Sequence, residues 1–69
     1  MSRFTMDFQC DNAAFNWEGR FDKTEVATII QSVANRVRAG ITGGVLHDSN
    51  GNKVGSWSLD IDEEDDDAN

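Results

Sequence analysis

The sequence has few of the residues that usually support catalysis or metal binding. Among its 69 residues there is one cysteine, Cys10, and one histidine, His47. A lone cysteine cannot form an internal disulfide, and the two residues together are too few for a structural zinc site. Neither has a partner in the sequence pattern that would make it a nucleophile with its base. We therefore expect a protein that is not an enzyme, needs no cofactor and lies in a reducing compartment.

Long apolar runs and clusters of basic residues are also lacking. No stretch approaches the roughly 20 apolar residues that cross a membrane, and none has the pattern of a signal peptide. Direct binding to nucleic acid or to a membrane surface is unexpected, because both depend on concentrated cations. There is no proline, no linker and no internal repeat, so the chain is expected to form one domain.

The acidic excess is concentrated at one end of the chain. The formal net charge is -7, yet the six acids and six bases before residue 60 balance each other. The excess comes from Asp60, Asp62, Glu63, Glu64, Asp65, Asp66 and Asp67. One interpretation is a solubilising, charge-repelling end. The other is a mimic of the phosphates along one DNA strand. Residues on one face of a β-strand lie about 6.7 Å apart, which is close to the spacing of those phosphates.

The first part of the chain predicts a strand followed by a helix. Phe4, Met6 and Phe8 alternate with polar residues, which is typical of a half-buried strand. From residue 21 to residue 40 the apolar residues recur at helical spacing, and they are Val26, Ile29, Ile30, Val33 and Val37. Asp22 is expected to cap the helix start, with Glu25 as its capping-box partner. Gly40 is expected to end it in the left-handed conformation.

The second part of the chain predicts a hairpin over residues 42–61, because Asn50-Gly51 is a strong two-residue turn signal. The opposed pairs are then Asp48 with Lys53, Leu46 with Gly55, and Gly44 with Trp57. This register collects Leu46, Trp57 and Leu59 on one face. It puts Val45, Val54, Ser56 and Ser58 on the other face, and it adds a weak ion pair between Asp48 and Lys53.

The order β-α-β-β indicates an α+β domain with one helix packed on a three-stranded antiparallel-type sheet. The last strand is expected in the middle, since this allows a right-handed crossover between the first two strands. The domain should cover residues 1–61. The acidic tail, residues 62–69, should be disordered because it has nothing apolar to bury.

The turn segment superficially resembles a calcium-binding loop. Asp48, Asn50 and Asn52 have the spacing of the first ligands of an EF-hand. Lys53 and Leu59, however, stand where that loop needs glycine and a bidentate glutamate. We therefore expect a plain hairpin turn and no metal site.

Two large aromatic residues, Phe15 and Trp17, lie outside the periodic segments. They either fold back over the open end of a small core or act as anchors for a partner, next to Asp11 and Glu18. The two alternatives differ in the exposure of the side chains.

Four strings carry a resemblance to a known class of proteins: NAAF at 12–15, EVATII at 25–30, VANRVRAG at 33–40 and GGVLHDSNGNKVG at 43–55. They resemble very small proteins encoded by tailed phages and prophages, whose shared pattern ends in an asparagine-glycine hairpin. Such acidic phage products are similar in size and charge to anti-CRISPR proteins. The resemblance implies a stoichiometric inhibitor of host defence, acting in the host cytoplasm.

The expected partner is a host protein or ribonucleoprotein with a basic groove that normally holds nucleic acid. The predicted partner-binding residues are Asp60, Asp62, Glu63, Glu64, Asp65 and Asp66, with Phe15 and Trp17 as anchors. Carboxylates would steer the encounter and aromatic anchors would slow dissociation. The alternative is a phage accessory or structural protein that forms a homodimer through an exposed sheet edge, or through the face of Val45 and Val54.

Overall fold

The computed structural model describes residues 1–62. Of the predicted disordered tail, residues 62–69, it therefore describes only Asp62, which is hydrogen-bonded to Ser2, and residues 63–69 lie outside the described residues. The elements are β1 (Arg3–Phe8), a 3-10 helix (Ala13–Phe15), β2 (Asn16–Trp17), β3 (Arg20–Phe21), α1 (Lys23–Arg38), β4 (Gly43–His47) and β5 (Lys53–Asp60). This confirms the predicted α+β class with one helix and a three-stranded antiparallel sheet. The small β2–β3 hairpin forms a second sheet that the sequence pattern did not predict.

The main sheet has the order β1-β5-β4, and both outer strands run antiparallel to β5. The last strand therefore lies in the middle, as predicted. Along β1, Phe4 is opposite Leu59 and Met6 is opposite Trp57, so these four apolar side chains share one face. The other face carries Val45 among small and polar residues, and β1 and β4 form the two edges of the sheet.

The residues that flank helix α1 make the hydrogen bonds that cap its two ends. Asp22 is the N-cap, and its side chain accepts a hydrogen bond from the Thr24 amide at 2.9 Å. The predicted capping box is wrong in its second half, because Glu25 accepts instead from the Ser49 amide at 2.7 Å. At the other end, Gly40 has a φ of 95°, and the Ile41 amide donates to the Arg36 carbonyl at 2.9 Å. This is the Schellman arrangement, and it confirms the predicted helix stop.

The β4–β5 hairpin keeps most of the predicted register and departs from it near the turn. Leu46 is opposite Gly55 and Gly44 is opposite Trp57, as predicted. A bulge then shifts the pairing, so that His47 rather than Asp48 is opposite Lys53.

The bulge arises because the loop has three residues instead of two. Asp48 and Asn52 close the loop through an amide-to-carbonyl bond of 2.9 Å, and Gly51 takes the left-handed conformation with a φ of 87°. A type I′ turn would need a positive φ at Asn50 as well, and Asn50 has none. The predicted ion pair between Asp48 and Lys53 is therefore wrong.

The core lies between α1, the inner face of the sheet and the loop after β1 that carries Phe15. Within the described residues, its buried apolar side chains are Phe15, Ile29, Val33, Leu46 and Trp57. Val54, which was predicted on the opposite face, packs against this core, since the bulge changes the direction of the strand at that point. The loop after β1 closes the end of the core, because the 3-10 helix inserts Phe15 beneath α1.

Candidate partner-binding surface

The acidic segment begins at the end of the central strand. Asp60 is exposed at the last position of β5, opposite Arg3. Asp62 is held against the chain start: its amide donates to the Ser2 hydroxyl at 3.0 Å, and its carboxylate contacts the amino group of Met1. The remaining predicted contacts, Glu63, Glu64, Asp65 and Asp66, lie outside the described residues. Asp60 is therefore held by strand pairing, and Asp62 is held by the two residues that precede β1.

Phe15 is not a surface anchor. Its side chain is 0% exposed, so the prediction that it contacts a partner is wrong and the alternative of core packing holds. The ring lies 6.5 Å from Phe8 and 6.4 Å from Phe21, nearly parallel to the latter. A residue at this position fills the open end of a small core, where an aromatic ring buries the most apolar surface.

Trp17, in contrast, is 70% exposed. It stands on β2 opposite Arg20, in a two-residue hairpin whose turn residues Glu18 and Gly19 both have positive φ, at 50° and 79°. These values are typical of a type I′ turn, which matches the twist of the flanking strands. Glu18 in the left-handed conformation has a backbone cost that glycine would not have. The hairpin that exposes Trp17 therefore contains local strain in its turn.

The structure does not bring Trp17 and Asp60 together. Asp60 is paired with the first residue of β1, whereas Phe15 beside Trp17 packs against Phe8, the last residue of β1. Five residue steps along a strand span roughly 17 Å. A partner that touches both must therefore cover the length of the sheet.

Asp48 has a structural role in the hairpin loop. It is 6% exposed, and its carboxylate accepts hydrogen bonds from the amides of Asn50 and Asn52 and from the Asn12 side chain. The bond from Asn12 is the main cause that lowers the pKa of Asp48; burial opposes it, and the bonds from Asn52 and Asn50 add to it. Because these donors occupy its oxygens, the carboxylate is not available to a cation.

An apolar groove runs between α1 and β1, and nothing in the sequence pattern indicated it. It has a volume of about 570 Å³, and its walls are Phe4, Met6, Ile30, Val33, Ala34, Val37, Arg38 and Leu59. Phe4 is 46% exposed and Ile30 is 45% exposed. The apolar stripe of the helix is wider than the strip of sheet beneath it, so its Ile30 side remains uncovered.

The remaining residues with reactive side chains do not form a site. Cys10 is partly buried and packs against the core, while His47 is exposed and opposite Lys53. Within residues 1–62, no three histidine, cysteine or acidic side chains come together in a way that could hold a metal ion. The described helix is not long and apolar enough to cross a membrane.

Comparisons with protein-family models, with curated proteins and with solved structures find no match. The features that bear on function are therefore those of the surface itself: Asp60 and Asp62 at the end of β5, the exposed Trp17 and the apolar groove.

Proposed function

We propose that this protein is a non-catalytic inhibitor that binds a basic, nucleic-acid-binding surface of a host defence complex, in the manner of an anti-CRISPR protein in the host cytoplasm. The observation that supports this best is the position of the acidic segment. It begins at the exposed Asp60 on the central strand, and Asp62 is tied to the chain start. The first two acids of the segment are thus held at one end of the main sheet, beside the start of β1.

The distribution of charge supports a local rather than a general attraction. Residues 1–62 contain eight acids and six bases, whereas residues 63–69 contain five acids and no base. A partner with a groove of lysines and arginines would meet a concentrated anion on a nearly neutral body. Such an arrangement raises the association rate and makes binding sensitive to salt.

Trp17 is the aromatic residue best placed to contribute to the affinity. Tryptophans that are exposed in the free protein and well packed in a complex are frequent hot spots. Truncation of one to alanine costs about 2 kcal/mol or more of binding free energy. Because Trp17 lies far from Asp60, the two should act separately. Loss of the acids should slow association, and loss of the indole should speed dissociation.

The test is a competition experiment with a purified guide-RNA-loaded defence complex, first identified by capture from host lysate. The protein should prevent the complex from binding its DNA target at stoichiometric concentration. A variant with Glu63→Gln, Glu64→Gln, Asp65→Asn and Asp66→Asn should associate more slowly, with a weaker dependence on salt.

A matched control separates the position of the charge from its amount. The four substitutions above change the net charge from -7 to -3, and so does the addition of four lysines on the exposed face of α1. These control substitutions are Ala27→Lys, Thr28→Lys, Gln31→Lys and Asn35→Lys. If the control weakens binding as much as the tail variant, or if neither does, the acidic segment is not the contact and the proposal is wrong.

A further inference from the structure

Within the described residues, the outer edge of β1 is unpaired, and its backbone groups can be assigned. The Gln9 amide donates to the Val54 carbonyl of β5 at 2.9 Å. Antiparallel hydrogen bonds alternate along a strand, so Arg3, Thr5 and Asp7 also direct their backbone groups toward β5. The amides and carbonyls of Phe4 and Met6 therefore point away from the sheet, where a further strand can pair with them.

The side chains of this edge are complementary to themselves. Two β1 strands can pair antiparallel with Thr5 of each strand at the two-fold axis. In this register Phe4 of one subunit exchanges backbone hydrogen bonds with Met6 of the partner subunit, and these are the two residues whose backbone groups are free. Arg3 then lies opposite Asp7 of the partner subunit, twice by symmetry. These are non-hydrogen-bonded positions, where opposed side chains approach most closely. Neither Arg3 nor Asp7 has an ion-pair partner among residues 1–62.

The same register covers the apolar groove. A two-fold axis perpendicular to the sheet leaves both helices on one face, and the groove of each subunit lies on the side of β1. Phe4 would meet the partner's Met6, and the exposed Ile30 side of α1 would face its equivalent across the axis. Strand pairing alone buries less surface than a stable dimer needs, and closure of the two grooves adds the apolar area.

We propose that two copies of this chain associate through β1, with Thr5 at the axis, to form a continuous six-stranded sheet. The other edge, β4, carries no acid and two glycines, so it offers no comparable charge pairing. This inference is independent of the proposed function, because it uses the edge of β1, and Asp60 is paired with Arg3 on the β5 side of that strand.

The experiment is sedimentation of the full chain over a range from micromolar to millimolar concentration. Wild type should dimerise. Arg3→Glu and Asp7→Lys each place like charges opposite one another at both positions, so each should weaken the dimer by roughly tenfold. A mixture of the two variants restores opposite charges at both positions and should form a heterodimer.

The controls make the same charge changes away from β1, at the exposed residues Lys23 and Asp11. Lys23→Glu and Asp11→Lys should leave the dimer unchanged. If the mixture of the two variants dimerises, both variants must be folded. Their weaker self-association is then not the result of a folding defect. Amide exchange gives a second readout: the amides of Phe4 and Met6 should gain protection with concentration, while that of Thr5 is protected throughout.

Three results would overturn the proposal. A wild-type protein that remains monomeric at millimolar concentration excludes the dimer. A dimer that neither charge variant affects uses another surface. A mixture that fails to associate while both single variants remain folded excludes the register centred on Thr5.

Discussion

The carboxylate of Asp48 organises the hairpin loop. It receives the amides of Asn50 and Asn52 within the loop, and it receives Asn12 from the segment that follows β1. A single buried acid thus joins two parts of the chain that are 36 residues apart. Its removal would leave partly buried donors without an acceptor, which is more damaging than the loss of a fully exposed bond.

Asp48→Asn should therefore make the protein less stable at neutral pH, and the difference from wild type should shrink in acid. The pKa of Asp48 is lowered from its ordinary value of 3.8, so the unfolded state takes up the proton first as the pH falls. The stabilisation is present above that value and is lost as the pH falls through the lowered pKa. Urea unfolding of both proteins across this range measures it, with Asp11→Asn as the control. A pH-independent difference would contradict the role assigned to the charge.

Gly55 occupies the most crowded position in the sheet. A Cβ at this position would lie 2.6 Å from the Phe8 Cα and would collide with the Asp7 carbonyl. Gly55→Ala should cost about 3 kcal/mol, because the strand β1 would have to move. Gly43→Ala is the matched control, since its nearest atom is the Trp57 carbonyl oxygen at 3.2 Å. Equal unfolding midpoints for the two variants in urea would show that the approach of the strands is less close than described.

At the scale of the elements, α1 depends on residues that lie just outside it. Asp22 caps the first turn, and Glu25 leaves the capping box to hold the Ser49 amide of the hairpin loop. The helix start and the hairpin are therefore coupled through one side chain. This explains why a good local signal, aspartate followed by glutamate three residues later, predicted the helix start correctly and the partner of Glu25 incorrectly.

Asp22→Ala should destabilise the protein by about 1 kcal/mol, the usual cost of a lost N-cap. Glu25→Gln keeps a group that can accept from Ser49, so its effect should be smaller. Lys23→Ala controls for a change in the first turn that removes no cap. Thermal unfolding of the three variants provides the comparison, and a cost for Asp22→Ala no larger than that for Lys23→Ala would contradict the capping role.

At the scale of the whole molecule, five buried apolar residues form a small core, and the β1 side remains open. Domains of this size often gain stability from a second subunit. If β1 self-pairing occurs, the melting temperature of wild type should rise with protein concentration, because association stabilises only the folded chain. Arg3→Glu should show a smaller rise. A melting temperature that is independent of concentration in both proteins would exclude a dimer that contributes to stability.

The sequence by itself determined the elements whose signals are local. The alternation in β1, the cap at Asp22, the stop at Gly40 and the turn near Asn50-Gly51 act over a few residues, so the α+β class could be predicted. The central position of β5 followed from the preference for a right-handed crossover. It also determined the partition of charge that underlies the proposed function.

The tertiary structure alone decided which side chains are buried and which surfaces remain open. Phe15 and Trp17 are two residues apart and both are large and aromatic, yet only Phe15 packs against Phe8 and Phe21. The bulge near His47, the contact between Asn12 and Asp48, and the groove beside β1 all depend on residues far apart in the chain. Such long-range contacts leave no periodic signal, because what fixes them is the space available when the elements pack together.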